Sequence, residues 1–141
     1  MTREILFKAK RLSDGAWVEG FPYWGEYSGA FILQNKTYSR RNARTGEISM
    51  GDNIVPIDVD PSTVCEYTGQ VDYESEEPIF CDDLLKSQSG KERIYVVGFE
   101  DGGYFARERG ETGIGMPLTI ENIGWSMLKR IGSIHDGEGG Q

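Results

Sequence analysis

The chain has 141 residues, of which 38% are hydrophobic, and it carries a formal net charge of −8. A chain of this length forms one domain, or two small subdomains that share a core, and needs no metal ion or disulfide to fold. The negative charge disfavours nucleic acid as a partner of the whole surface, because phosphate binding requires a basic surface. No apolar run approaches the ~20 residues that span a bilayer, and the opening MTREILFKAK lacks the apolar core of a signal peptide. We therefore expect a cytoplasmic protein with no membrane partner.

The cysteine and histidine content limits the chemistry that the chain could perform. His135 is the only histidine, which rules out a multi-histidine metal site. Cys65 and Cys81 lack the Cys-x-x-Cys spacing of zinc sites and are expected to be reduced thiols. Nothing in the sequence places either cysteine beside His135, as a Cys/His nucleophile would require. The sequence therefore predicts no catalytic residue, no metal ligand and no cofactor.

The N-terminal region carries signals for short strands and tight turns. Glycine is abundant, at 19 residues, and is interspersed with aromatic side chains, a composition that favours strands over long helices. Residues 5–9 place Ile5, Phe7 and Ala9 on one face by period two and predict a strand. Ser13-Asp14-Gly15 predicts the turn that leads back into a second strand at 17–21. A third strand is predicted at 31–33.

A basic segment and a proline-containing strand follow. Residues 35–46, NKTYSRRNARTG, are expected to form an exposed loop. Residues 53–59 predict a fourth strand, which we place at a sheet edge because Pro56 has no amide proton to donate. Asp60 and Pro61 then predict a single helical turn, with Asp60 as its cap and Pro61 at the first helical position.

The clearest strand of the chain is predicted at 93–100, where apolar side chains on both faces indicate burial on both sides. Asp101-Gly102-Gly103 predicts a hairpin turn, after which 104–107 pairs back onto that strand. Residues 108–117 are expected to be a glycine-rich loop that opens no helix. Residues 125–134 are ambiguous, because their apolar spacing suits a helix whereas the flanking glycines argue for a strand.

Five segments resemble, in order, the YopX family, small proteins found mainly in bacteriophages and prophages. The most specific of them is VDPSTVCEYTG at 59–69, which is similar to a family signature that usually reads V-D-P-x-T-V-x-Q-Y-T-G. The other four are REILFKAKRLSDGAWVEGF near the start, IFCDDLL at 79–85, GFEDGGYFAR at 98–107 and RIGSIHD at 130–136. The chain departs from the usual pattern at Cys65-Glu66 and at Cys81-Asp82-Asp83. Together these segments span nearly the whole chain.

The resemblance implies a mostly β fold with minor α content. It implies an N-terminal part rich in β-hairpins over residues 1–59, followed by a small β-barrel of the Src-homology-3-like kind over residues 60–136. We expect residues 137–141 to form a disordered tail. The family has no established catalytic residues that could be assigned to positions of this chain, so the resemblance implies no enzymatic activity.

Six carboxylates with no base between them form the first candidate contact surface: Asp72, Glu74, Glu76, Glu77, Asp82 and Asp83. A calcium loop would need glycine at its sixth position, where the chain has Glu77 followed by Pro78. A local field of one sign can instead steer a basic protein partner to the surface. A solvated loop without a partner is the alternative interpretation.

The second candidate surface is the only basic patch that also contains an aromatic side chain: Lys36, Tyr38, Arg40, Arg41 and Arg44. Its cations could contact phosphates while Tyr38 stacks on a base. The small number of cations and the net charge of −8 argue against nucleic acid as the main partner.

We therefore predict a non-catalytic phage or prophage accessory protein of the YopX type, which acts in the bacterial cytoplasm by binding an unknown protein. The alternative is a nucleic-acid-binding regulator that uses the basic residues 36–44. Edge strands could also pair between copies of the chain, so a homo-oligomer is a further option.

Overall fold

The computed structural model describes residues 5–88, 90–110 and 115–136, and it divides the chain into two compact units, Leu6–Val64 and Cys65 onward. The predicted tail at 137–141 and part of the predicted glycine-rich loop lie outside the described residues. Strands dominate both units, as the sequence predicted. A search of the described residues for a helix with the length and hydropathy needed to cross a bilayer found none.

The first unit is an antiparallel meander of four strands. Their bounds are β1, Phe7–Lys10; β2, Trp17–Gly25; β3, Gly29–Arg41; and β4, Ile48–Asp58. Each strand pairs with the next, so that β4 forms one edge of the sheet, as Pro56 predicted. The turn between β1 and β2 is where the sequence placed it, with Gly15 at φ 74°. Pro61–Thr63 forms the predicted helical turn, and the Asp60 carboxylate accepts a hydrogen bond from the backbone N–H of Ser62.

One face of this sheet forms a small hydrophobic core. Ala9, Ala30, Ile32 and Val59 are buried together, and Ile57 packs against them. Ile32 lies opposite Ile57 in the register of β3 and β4, and directly opposed side chains point to the same face of a sheet. The even-numbered residues of β3 near this point therefore face the core, and the odd-numbered residues face away from it.

The prediction of a loop over 35–46 was wrong for 35–41, which are strand, and correct for 42–46. β3 and β4 continue in unbroken register from Phe31 opposite Asp58 to Arg41 opposite Ile48. Only 42–47 form the turn, in which the Asn42 side chain accepts hydrogen bonds from the backbone N–H groups of Arg44 and Thr45. This polar segment is strand because the cross-strand hydrogen bonds to β4 satisfy its backbone, a pairing that its own side chains do not signal.

The second unit contains the remaining seven strands and the one α-helix of the described residues. The strands are β5, Cys65–Val71; β6, Pro78–Phe80; β7, Asp83–Ser87; β8, Arg93–Glu100; β9, Gly103–Glu108; β10, Met116–Pro117; and β11, Leu128–Ser133. β5 pairs with β6, and the other five form an antiparallel sheet in the order β10-β9-β8-β7-β11. β8 has the bounds that the sequence predicted, and β9 pairs back onto it after the predicted turn.

The core of this unit is formed by buried side chains from the sheet, β6 and the helix. They are Ile79, Leu85, Val97, Ala106, Leu118, Ile123 and Leu128. The expected closed barrel is not seen among the described residues, because β10 and β11 are opposite edges of the five-stranded sheet and do not pair with each other. The resemblance was correct about β content in this region but did not determine closure, which depends on strand tilt and stagger.

The ambiguous region 125–134 contains the end of a helix and a whole strand. The helix α1, Ile120–Ser126, begins at Thr119, whose hydroxyl accepts a hydrogen bond from the backbone N–H of Asn122. It ends at Met127, which has the left-handed φ of 51°. β11 follows at once. The expectation that no helix begins after the glycine-rich loop was therefore wrong, although Thr119 is a helix-capping residue type that could have indicated one.

Candidate functional site

Asp72, predicted as a contact residue, is 1% exposed and is held by the backbone. Its Oδ1 accepts hydrogen bonds from the N–H groups of Glu74 at 2.7 Å and Ser75 at 3.0 Å. Its Oδ2 accepts one from the N–H of Arg130 at 2.6 Å, on β11. Burial raises the pKa of Asp72, but these backbone hydrogen bonds outweigh it and hold the pKa below its ordinary value.

Asp83 is fully buried and has a similar structural role. Its Oδ2 accepts hydrogen bonds from the backbone N–H of Phe80 and from Nε of Arg130, both at 2.8 Å. Burial lowers the pKa of Arg130, but the hydrogen bond and charge of Asp83 outweigh it and raise that pKa. The two aspartates therefore hold β11 against the rest of the unit, and neither presents its carboxylate to a partner.

The other predicted acidic residues lie nearer the surface. Glu74, Glu76 and Glu77 are at the turn between β5 and β6, and Glu74 forms an ion pair with Lys129 at 3.1 Å. Exposed ion pairs of this kind contribute little to stability. These three glutamates thus remain a predicted contact surface, smaller than the six-carboxylate surface that the sequence indicated.

The sixth carboxylate belongs to a cluster that the sequence did not reveal, formed by Cys65, Asp82 and His135. His135 Nε2 lies 2.8 Å from Oδ2 of Asp82, and the Cys65 thiol donates a hydrogen bond to the same oxygen at 3.7 Å. The three atoms all lie within 4.8 Å of one another. Cys65 is 1% exposed, whereas the side chains of His135 and Asp82 are 17% and 36% exposed. The cluster therefore has a buried sulfur and a partly exposed carboxylate.

The backbone of Asp82 places its carboxylate in this cluster. Asp82 has a left-handed φ of 69° in the turn between β6 and β7, a conformation that aspartate tolerates better than most residues. Its N–H donates to the carbonyl of Val97 on β8, and its carbonyl accepts from the N–H of Ile134. His135 follows in the short helical turn Ile134–Asp136. The sequence did not reveal that Cys65 and His135 are close, because the tertiary structure brings together segments that are distant in the chain.

The second cysteine has a different environment. Cys81 precedes Asp82 in the chain but lies outside the Cys65 cluster. Burial, followed by the charges of Asp82 and Glu66, raises the pKa of Cys81 to about 11. Since the thiolate is the nucleophilic form, Cys81 is an unreactive thiol near neutral pH.

The basic residues predicted at 36–44 lie on the β-ribbon, which we define as the part of β3 and β4 between 35 and 54 together with its turn. Lys36, Tyr38 and Arg40 alternate along β3 and share the face that continues from the core. The Arg40 guanidinium lies 5.8 Å from the centre of the Tyr38 ring. The ring covers Gly51 on β4, where an added Cβ would approach it to 2.5 Å. Arg41 lies on the opposite face, and Arg44 in the turn.

The opposite face of the same sheet carries several exposed apolar side chains, with Arg41 and Asp52 interspersed among them, a feature that the sequence reasoning missed. Five side chains on it are each more than half exposed: Phe21, Tyr23, Ile48, Met50 and Ile54. The register places Phe21 opposite Leu33 and Tyr23 opposite Phe31 on this face, and the Tyr23 and Phe31 rings lie 6.3 Å apart. We call these seven residues the apolar face. The period-two alternation of β4 could have indicated it, had 48–52 been recognised as strand.

These features define a mostly β protein with two antiparallel units, an exposed apolar sheet face and a Cys/Asp/His cluster. The model of the YopX family, described as YopX protein, matches residues 7–138. The chain therefore belongs to the YopX family, and the resemblance noted in its five segments is confirmed.

A search of curated proteins found no significant match. Among solved structures, the chain is similar to the crystal structure of protein EF1440 from Enterococcus faecalis, with a TM-score of 0.58 and 18% sequence identity. The similarity covers 99% of this chain and 100% of that one. At this identity the comparison shows a shared fold.

Proposed function

We propose that this YopX-family chain is a non-catalytic phage or prophage protein that binds another protein in the bacterial cytoplasm, and that the apolar face of the first unit is the main contact surface. The observation that carries the proposal is the exposure of Phe21, Tyr23, Ile48, Met50 and Ile54 on one side of one sheet. Exposed apolar side chains gathered on one face, with polar residues around them, are typical of protein–protein interfaces.

The chemistry of this face suits a folded protein with an apolar strip on its own surface. Aromatic side chains and methionine are enriched at the centres of interfaces. Phe21 and Tyr23 supply rigid aromatic area, and Met50 supplies an adaptable side chain. Full burial of one such side chain contributes about 1.5–3 kcal/mol, so that two or three of them can determine whether a complex forms.

The test compares two double variants of the β-ribbon that introduce the same pair of charges on opposite faces. Met50→Glu with Ile54→Lys alters the apolar face, and Ser49→Glu with Asn53→Lys alters the other face. Tagged proteins are captured from bacterial host cells, and their partners are quantified by mass spectrometry. We expect the first variant to lower partner recovery at least about tenfold, since one tenfold change corresponds to about 1.4 kcal/mol. The second should retain it.

Equal partner recovery by both variants would exclude the apolar face as the contact surface. A third variant reverses the charges of Glu74, Glu76 and Glu77, and its effect tests the acidic contact predicted from the sequence. Sedimentation of the purified protein shows whether the apolar face binds a second copy of the chain instead. In that case the wild-type protein sediments as a dimer and the Met50→Glu, Ile54→Lys variant as a monomer.

A second candidate function, nucleic-acid binding, is favoured by the opposite face of the β-ribbon. Lys36, Tyr38 and Arg40 lie there in one row, and a two-stranded β-ribbon fits the DNA major groove. We expect Lys36→Ala with Arg40→Ala to reduce the slope of log affinity against log salt by about 1.8, at ~0.9 per phosphate contact. Fluorescence anisotropy with duplex and single-stranded oligonucleotides measures this, with Arg41→Ala as the control. Absence of wild-type binding at low salt would exclude this function.

A further inference from the structure

We propose that Cys65, Asp82 and His135 bind a divalent transition-metal ion of the zinc type in the second unit. The three residues offer a sulfur, a carboxylate oxygen and an imidazole nitrogen within 4.8 Å of one another. Three protein ligands of this kind, with water in the fourth position, form a common type of zinc site.

The distance between the Cys65 sulfur and the Asp82 carboxylate suits tetrahedral coordination. With metal–sulfur bonds of about 2.3 Å and metal–nitrogen or metal–oxygen bonds of about 2.0–2.2 Å, tetrahedral ligand atoms lie about 3.3–3.6 Å apart. The Cys65 sulfur is 3.7 Å from Oδ2 of Asp82, close to that value. His135 Nε2 and Asp82 Oδ2 are 2.8 Å apart, as in a hydrogen bond. A metal ion would take the place of the proton between these two atoms and would increase the distance between them by about half an ångström.

The ligand types select the metal. Thiolate and imidazole ligands favour Zn²⁺ and similar ions over Ca²⁺ and Mg²⁺, which require oxygen ligands. A thiolate from Cys65 and a carboxylate from Asp82 neutralise a divalent cation, which reduces the cost of placing charge beside a sulfur that is 1% exposed. The more exposed carboxylate of Asp82 provides access from solvent.

Binding of the metal ion releases protons from its ligands. The Cys65 thiol loses its proton to the buffer, and His135 binds through a deprotonated Nε2, with its remaining proton on Nδ1. The apparent affinity for the metal ion should therefore rise with pH.

The bound ion would also link segments that are far apart in the chain, since Asp82 is 17 residues from Cys65 and 53 residues from His135 in sequence. A ligand that binds only the folded state stabilises it by mass action, so saturating Zn²⁺ should raise the melting temperature.

The experiment is a titration of the purified reduced protein with Co²⁺, followed by displacement with Zn²⁺. We expect one equivalent of Co²⁺ to give a thiolate-to-cobalt charge-transfer band in the near ultraviolet and intense visible bands typical of tetrahedral cobalt. One equivalent of Zn²⁺ should remove both. Cys65→Ser should abolish the charge-transfer band, whereas Cys81→Ser, the matched control, should retain it.

Asp82→Asn and His135→Gln preserve side-chain size and should weaken binding at least about tenfold, the lower end of the usual effect of losing a supporting or direct metal contact. Circular dichroism verifies that each variant is folded. The proposal is overturned if the wild-type protein shows no charge-transfer band at millimolar Co²⁺. It is equally overturned if the band survives Cys65→Ser and disappears in Cys81→Ser, or if Asp82→Asn and His135→Gln, while folded, bind as the wild type does.

Discussion

Replacing Asp83 with alanine is expected to destabilise the protein by about 3–5 kcal/mol, the usual cost of removing one partner from a buried ion pair. Asp83 is fully buried, and its Oδ2 accepts hydrogen bonds from Phe80 N–H and from Arg130 Nε. Alanine would leave the partly buried guanidinium of Arg130 without this carboxylate. It would also remove the acceptor of a buried backbone N–H.

Urea denaturation followed by circular dichroism measures this loss, with two comparison variants. Asp83→Asn retains an oxygen acceptor but not the charge, and it should lose less stability than Asp83→Ala. Asp52→Ala removes an exposed carboxylate from β4 and should change stability by no more than about 0.5 kcal/mol. If Asp83→Ala is as stable as Asp52→Ala, the carboxylate does not hold β11 as described.

Replacing Asp72 with asparagine is expected to lower the free energy of unfolding by about 1–3 kcal/mol at neutral pH and by much less in acid. The asparagine carbonyl can accept hydrogen bonds from Glu74 and Ser75 N–H groups, but its amide then meets the Arg130 N–H, so two donors face each other. An unsatisfied buried donor costs about 1–3 kcal/mol.

The pH dependence follows from the lowered pKa of Asp72 in the folded state. A carboxyl with a depressed folded-state pKa contributes stability that is fully present above its unfolded pKa of about 3.9. That contribution is lost as the pH falls through the folded-state pKa. The stability difference between wild type and Asp72→Asn should therefore narrow below about pH 4. Glu76→Gln, at an exposed neighbouring position, serves as the control, and a difference that is independent of pH would contradict the assignment.

Much of the strand framework could be predicted because its signals are local. β8 shows apolar alternation, Asp101-Gly102-Gly103 supplies the turn that follows it, and Asp60 with Pro61 begins the short helical turn. Each of these depends on side chains that are adjacent in sequence. The family, too, could be recognised from short segments in order.

The candidate sites could not be predicted in the same way. Asp72 and Asp83 were predicted to face solvent, because no residue near them in sequence indicates that Arg130 on β11 approaches both of them. The Cys65 cluster joins residues as far as 53 positions from Asp82. The apolar face was missed for another reason: 48–52 was not recognised as strand, so the period-two alternation of β4 was not recognised as one face of a sheet.

The amino-acid sequence by itself determined the strand-rich class, the positions of the main turns and the family, because backbone preferences and side-chain alternation act over a few neighbouring residues. Only the tertiary structure decided which carboxylates are buried, which sheet face stays exposed and which sulfur, oxygen and nitrogen meet. Those outcomes depend on the register and order of antiparallel strands, which bring together side chains that are far apart in the chain.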